Sequence, residues 1–284
     1  MSHALQRLAA SIHNRPHLVT ASSLELVLDY LDKRNFGEIV LASEDDDYEE
    51  DDDEAMVEDG LGVLNVTGTL TYRPVMTMCG EVGTSYTRLV SDMEELAKAG
   101  ARTVVMHVDS GGGEAAHCFE AAQHIREVAD SYGITMIGYA DTCACSAAYG
   151  LLSVCDYVVA NPSSDVGSIG VLVALMDTSK AYEQAGLKRV FITAGGSKVP
   201  FADDGSFRQE FLEEIQERVD TLWDEFAGHV STYRGLSVEA IKGLDAKVFT
   251  ASKAKANGLV DEVMTNNEFA AFVAKVHKDT LNEG

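Results

Sequence analysis

The sequence predicts an α/β protein built on a mostly parallel sheet, preceded by a helical N-terminal region. Three observations lead there. Short β-branched runs alternate with amphipathic stretches from about residue 60 onward, the pattern of βαβ units. The runs TVVMHV at 103–108 and ITMIGY at 134–139 are apolar almost without interruption, as strands covered on both faces are. Glycines fall where helices should stop, Gly100 and Gly186 among them.

Residues 1–43 are expected to be helical. Ser22-Ser23-Leu24-Glu25 has the form of a capping box, and Leu24, Val27, Leu28 and Leu31 follow at helical spacing. Residues 44–59 hold twelve Asp or Glu and no Lys or Arg, and ten of the eleven residues from 44 to 54 are acidic. Like charges at that density repel one another and cannot build a core, so this stretch is expected to be a solvated linker. The main domain is expected to run from 60 to 284.

Within that domain, 61–69 (LGVLNVTGT) reads as the first strand. Residues 86–99 place Leu89, Met93 and Leu96 on one face and read as a helix. Strand 103–108, helix 114–131 and strand 134–139 follow. Residues 145–153 are apolar all round and read as a buried helix. A strand at 157–160, an extended element at 169–175, a helix at 178–185 and a strand at 189–193 come next. Residues 207–233 form a long helix with an apolar stripe of Phe211, Ile215, Leu222 and Phe226. Most of that stripe is expected to pack on its own sheet. Helices at 238–243, 252–257 and 268–278 and a short strand near 260–264 complete the chain.

Length and charge exclude several function classes. At about 150 residues per domain, 284 residues make one large domain or two small ones. Hydrophobic residues are 46% of the chain, enough for a sizeable core. The formal charge of -24 argues against binding phosphate backbones or anionic lipid, both of which need a basic face. No basic flank, apolar run and cleavage site combine into a secretory signal. The longest uncharged stretches, 142–155 and 166–176, fall short of the ~18 residues that would span a bilayer. Cys79, Cys118, Cys143, Cys145 and Cys155 are odd in number and lack paired spacing, which points to reduced thiols. Cys143-Ala144-Cys145 is too tight for a zinc knuckle and has no second ligand pair nearby.

In a parallel sheet the chemistry gathers at strand C-termini, and two segments draw attention there. The first is Asp109-Ser110-Gly111-Gly112-Gly113, placed between a strand and a helix. Consecutive glycines free the backbone for positive φ and expose N–H groups, as an oxyanion hole requires. Gly111-x-Gly113-x-x-Ala116 also fits a dinucleotide turn, with Asp141 as the distant acid, and a plain tight turn remains open too. The second segment is Thr142-Cys143-Ala144-Cys145-Ser146-Ala147-Ala148-Tyr149. Ser146 opens the buried helix among small residues. It is either an N-cap or a nucleophile whose oxyanion would meet the Ala147 N–H.

A nucleophilic serine needs a base. The eight histidines are His3, His13, His17, His107, His117, His124, His229 and His277, and none falls in the loops just past Ser146. A lysine serves if burial leaves it a neutral amine. Lys180 reads as a surface helix residue, Lys188 adjoins Arg189 at a strand start, and Lys198 sits in the glycine-rich loop 194–200.

Four segments in register then resemble one family. Asp109-Ser110-Gly111-Gly112-Gly113 is similar to its Ser-Pro-Gly-Gly loop, and Cys145-Ser146-Ala147-Ala148-Tyr149 to its nucleophile segment. Asp165-Val166-Gly167-Ser168-Ile169-Gly170-Val171 resembles its Gly-Ser-Ile-Gly-Val signature, and Gly196-Ser197-Lys198 falls where it keeps its lysine. From about residue 61 to 263 the chain resembles the signal peptide peptidase and phage head-maturation protease family. These are serine peptidases with a Ser-Lys dyad on the Clp protease/crotonase fold of repeated ββα units. Gly111 stands where the family usually has proline.

The resemblance implies Ser146 as nucleophile, Lys198 as general base, Gly113 and Ala147 as oxyanion donors and Ser168 as the residue that orients the lysine. It implies no metal, nucleotide or other cofactor, and closed rings of subunits. The lack of an N-terminal anchor and the Arg15-Pro16-His17-Leu18 preamble favour the phage branch. The expected partners are scaffold, portal or other capsid proteins, in the cytoplasm of a bacterial host or inside the prohead. With the chain stopping at Gly284, any scaffold is expected to be a separate protein or absent. The alternatives are a soluble housekeeping peptidase similar to signal peptide peptidase, a dinucleotide-binding oxidoreductase, and a non-catalytic assembly factor.

Overall fold

The computed structural model describes residues 16–20, 57–77, 80–81, 83–188 and 190–283. The expected helix after Ser22 and the acidic residues 44–56 lie outside the described residues.

Strands β1 (His17–Val19), β2 (Val57–Glu58) and β3 (Leu61–Thr71) come first. A small antiparallel pair, β4 (Met76–Thr77) and β5 (Gly80–Glu81), and then β6 (Thr84–Ser85) lead to helix α1 (Tyr86–Lys98). β7 (Thr103–Glu114), α2 (Cys118–Tyr132), β8 (Thr135–Cys145), α3 (Ala147–Leu152), β9 (Tyr157–Ala160) and β10 (Asp165–Gly167) form the centre. An arm carries α4 (Ser179–Gln184) and a 3-10 turn at Gly196–Lys198. The chain closes with α5 (Gln209–Arg234), α6 (Val238–Gly243), β11 (Val248–Thr250), α7 (Ala251–Ala256), β12 (Glu262–Val263) and α8 (Asn266–Glu283).

The main sheet runs β11-β10-β8-β7-β3-β2, with β9 also beside β8 and β12 beside β9. β3, β7, β8 and β10 are parallel, as the alternation predicts, and β2 and β11 add antiparallel edges. Each central strand is covered on both faces. Val104, Met106 and Val108 join Leu89, Met93 and Leu96 of α1, Ile125 of α2 and Tyr149 of α3 in the main core. Val105, Ile137, Tyr139 and Val159 point the other way, onto Phe269 and Val273 of α8, where Tyr139 stacks on Phe269 at 3.9 Å. Full burial contributes about 1.5–3 kcal/mol per large aliphatic or aromatic side chain, so the two layers hold the sheet from both sides. β3 alternates instead: Leu64 and Val66 are buried while Val63 is 47% exposed, since successive side chains of a strand point to opposite faces.

Several expectations shift. The stretch 109–113 is no loop, since β7 runs through it to Glu114 and α2 opens only at Cys118. Gly112 and Gly113 pair with Thr69 and Leu70 of β3 on one side and with Val19 and Leu18 of β1 on the other. That pairing, invisible to local propensity, keeps the glycines in the ladder. His17–Val19, inside the region expected to be helical, is a strand, and Val57–Glu58 at the end of the acidic stretch pairs with β3. Residues 169–175 form no strand beyond the bridge between Leu172 and His17. Residues 190–193 form none either, and Ile192 is 98% exposed. Of the long helix α5, Phe226, Ala227 and Val230 are buried and Leu222 packs on the core, while Phe211 and Ile215 are only half-buried.

Candidate active site

The site is built at the C-terminal ends of β7, β8 and β10. β8 ends at Cys145, and α3 begins at Ala147, so Ser146 alone turns the chain. It does so with φ 56° and ψ -122° and with no side-chain capping bond. A non-glycine residue held there costs about 1–3 kcal/mol, which the surroundings must impose. Two backbone bonds do: Ser146 N–H donates to the Gly167 carbonyl at 2.8 Å, and the Ser146 carbonyl accepts from Gly150 N–H at 3.0 Å. Ser146 therefore does not cap α3 with its side chain. The hydroxyl is not spent on the helix.

Ser146 Oγ is buried and has no hydrogen-bond partner among the described residues. A buried hydroxyl without a partner costs about 1–3 kcal/mol, so its persistence marks a site rather than a packing element. The adjacent thiol is no rival nucleophile. Cys145 is held far above the ordinary thiol range, first by its hydrogen bond with Cys143 and then by burial, so it stays a thiol.

The glycine segment lies directly against the start of α3. Gly112 has φ 98°, and a Cβ there would stand 3.0 Å from Ala147 N and 3.0 Å from the Cys145 carbonyl oxygen. No side chain fits, which is why the backbone can approach this closely. Ser110 fixes the turn, its Oγ donating to the Gly68 carbonyl at 2.5 Å and accepting from Gly112 N–H at 3.1 Å. Gly113 is as restricted, because a Cβ would come within 1.9 Å of the Leu70 carbonyl oxygen of β3. Of the glycine segment it is Gly112, next to the expected donor Gly113, that abuts Ala147 N. The glycines lie within β7 and not between a strand end and a helix start, so the spacing Gly111-x-Gly113-x-x-Ala116 makes no dinucleotide cradle here.

Ser168 follows Gly167, the residue whose carbonyl receives Ser146 N–H. Its φ is 53°, and its N–H donates to the Lys247 carbonyl at 2.9 Å, which pins the Gly-Ser-Ile-Gly segment to the end of β11. Trp223 of α5 adds a second anchor, donating Nε1–H to the Ile169 carbonyl at 3.0 Å. Ser168 thus directly follows the residue that holds the Ser146 turn.

The Lys198 side chain is exposed on the 3-10 turn of the arm, and it is not a hydrogen-bond partner of Ser146 Oγ. Among the described residues no histidine hydrogen-bonds Ser146 Oγ. His229 bonds the Gly150 carbonyl at 2.9 Å, His117 bonds Glu120 at 2.6 Å, and His124 bonds Glu94 at 3.2 Å. Sequence reasoning missed two participants, Ser110 and the strand β1. Ser110 carries no signal of its own. β1 has only Pro16 followed by His17-Leu18-Val19, too short to recognise.

Among the described residues no helix is long and apolar enough to cross a membrane. The chain is similar to the head-tail preconnector protein GP5 of Enterobacteria phage P21, 30% identical over 80% of this chain and 45% of that protein. It is similar to the capsid assembly protease C of Escherichia phage lambda, 28% identical over 80% of this chain and 51% of that protein. It also matches Protease 4 of Haemophilus influenzae, 28% identical over 59% of this chain and 27% of that protein. The chain spans about half the length of the two phage relatives. The sequence profile of peptidase family S49 matches residues 129–280, a stretch that holds Ser146, the Gly167-Ser168 segment and Lys198. By that match over more than half its length, the chain belongs to peptidase family S49.

Proposed function

We propose that this chain is a serine endopeptidase of phage head maturation, with Ser146 as nucleophile and Lys198 as base. The observation that carries it is the one-residue turn at Ser146, whose hydroxyl is left without a partner while Ala147 and the glycines of β7 converge beside it. In this reading a neutral Lys198 amine takes the hydroxyl proton, and Oγ attacks the peptide carbonyl. The Gly113 and Ala147 N–H groups hold the tetrahedral oxyanion. The lysine returns the proton to the leaving amine, and water then hydrolyses the acyl-enzyme. Ser168 positions the lysine from the rim of the site.

The exposed position of Lys198 favours a base supplied by a neighbouring copy. Lys198 rides on an arm that exposes Leu187, Val190, Phe191 and Ile192, a surface that a second subunit would cover. Scaffold, portal or other capsid proteins are the substrates in this reading, by likeness to relatives named for head assembly. Purified protein should label with a fluorophosphonate and cleave a co-expressed head protein, and Ser146→Ala should do neither. Cleavage by Ser146→Ala at the wild-type rate would sink the reading.

A further inference from the structure

β1 lies where an extended peptide substrate would lie. His17, Leu18 and Val19 pair antiparallel with Glu114, Gly113 and Gly112 on one side. On the other side His17 exchanges both backbone bonds with Leu172, at 2.8 and 3.0 Å, just past the Gly-Ser-Ile-Gly segment. A strand held along both edges by the rim of a site is the arrangement by which peptides bind through β-addition.

The register is specific. Thr20 N–H donates to the Gly111 carbonyl at 3.0 Å. Hydrogen-bonded pairs alternate along an antiparallel ladder, so Leu18 and Gly113, two residues away, form the next such pair. The Leu18 carbonyl then faces the Gly113 N–H. The same oxygen is 2.1 Å from where a Cβ on Gly112 would stand, and Ala147 N is 3.0 Å from that same point. Leu18 thus pairs its carbonyl with the Gly113 N–H and brings that oxygen to the side of Gly112 that Ala147 N also faces. Its side chain is fully buried in the main core, and Ser146 is fully buried beside it.

We propose that residues 16–20 are an internal, substrate-like strap that occupies the peptide groove and must leave before a substrate binds. This rests on the assignment of Ser146 and its oxyanion donors. The strap mimics the strand on the acyl side of a scissile bond, with the Leu18–Val19 peptide in the reacting position. It stays intact in this arrangement because no base reaches Ser146 Oγ. The occupant belongs to the same chain, so a competing peptide meets a resident rival at high effective concentration.

The first test uses the full chain in a Ser146→Ala background, where binding needs no nucleophile. A synthetic hexapeptide, Arg-Pro-His-Leu-Val-Thr, is titrated by fluorescence anisotropy with and without Leu18→Asp, which evicts the strap by placing a charge in its buried pocket. The peptide should bind the Leu18→Asp chain about tenfold more tightly or better, since apparent affinity scales with the fraction of open sites. Equal affinity in both backgrounds, or binding to neither, overturns the strap. A second measurement avoids any folding defect of the variant. Wild-type chain labelled at Ser146 by a fluorophosphonate should show faster amide exchange at residues 18–20, because the phosphonyl group displaces the Leu18 carbonyl. An adduct that leaves those amides as protected as before overturns the proposal. Peptide binding as expected, with no labelling of Ser146 in either the wild-type or the Leu18→Asp chain, would instead reject the nucleophile and leave the strap standing.

Discussion

The N–H of Ser146 donates to the carbonyl of Gly167 at 2.8 Å, tying the turn between β8 and α3 to the Gly-Ser-Ile-Gly segment. This bond holds Ser146 in its positive-φ conformation without using its side chain. Ser146→Ala should therefore keep the fold while lowering peptide cleavage by about 10³-fold or more. Thermal melts and cleavage assays on the same preparation check both halves. A variant that melts normally and still cleaves would reject Ser146 as the nucleophile.

Gly112→Ala should damage the site more than its size implies. The new methyl meets the Leu18 carbonyl oxygen at 2.1 Å, all three nearest atoms are backbone, and φ 98° is itself strained for alanine. The variant should lose about 1–3 kcal/mol or release β1. Urea denaturation reads the first outcome and amide exchange at residues 17–20 the second. Wild-type values in both would show that the close approach is not real.

Lys198→Arg should be inactive although its charge is kept, because a guanidinium does not give up its proton. Lys180→Arg and Lys188→Arg should retain activity. Ser146→Ala and Lys198→Ala chains, unfolded together and refolded as a mixture, should regain about a quarter of the sites if a neighbour supplies the base in a ring. A co-assembled mixture with no activity would confine the dyad to one chain.

His229 should make the fold sensitive to acid. Burial lowers its pKa below the ordinary imidazole value, partly opposed by its bond to the Gly150 carbonyl. The unfolded chain then takes up a proton that the folded chain refuses. Stability is full above about pH 6.5 and falls as pH drops from there toward the folded pKa. His229→Gln removes this slope while keeping a donor for Gly150. Urea midpoints at pH 7.5, 6.0 and 5.0 should diverge between the two proteins, and parallel curves would count against it.

Asp261→Ala should be among the more destabilising polar changes. Its carboxylate receives two bonds from Arg234, at 2.5 and 3.2 Å, and a third from Val158 N–H at 2.8 Å. The Arg234 side chain is only 8% exposed, so removing its partner leaves a nearly buried charge and an orphaned amide. About 2–3 kcal/mol should be lost, since the carboxylate itself is partly solvated. A loss under about 0.5 kcal/mol, the range of ordinary surface changes, would show that water replaces it freely.

Much of the fold could be read directly from residue pattern. β7 and β8 announced themselves as unbroken apolar runs, and α1 by Leu89, Met93 and Leu96 on one face, because periodicity reports how many faces of an element are covered. Ser146 and Ser168 were legible as motifs, since close backbone approach restricts neighbours to small residues. The stretch 189–193 looked like a strand, yet the described residues 190–193 are unpaired and Ile192 is almost fully exposed. β propensity expresses a local preference, whereas a strand needs an edge to pair with.

The sequence by itself determined the α/β class, the buried helix behind Ser146 and the set of residues able to do acyl chemistry. These follow from side-chain size, branching and spacing along a few turns of chain. Only the tertiary structure decided that 109–113 is strand, that Gly112 abuts Ala147 N, and that His17–Val19 pairs with Gly112–Glu114. Each is a contact between segments tens of residues or more apart. Such contacts depend on which edges and faces remain open once the sheet has formed, and local sequence does not encode that.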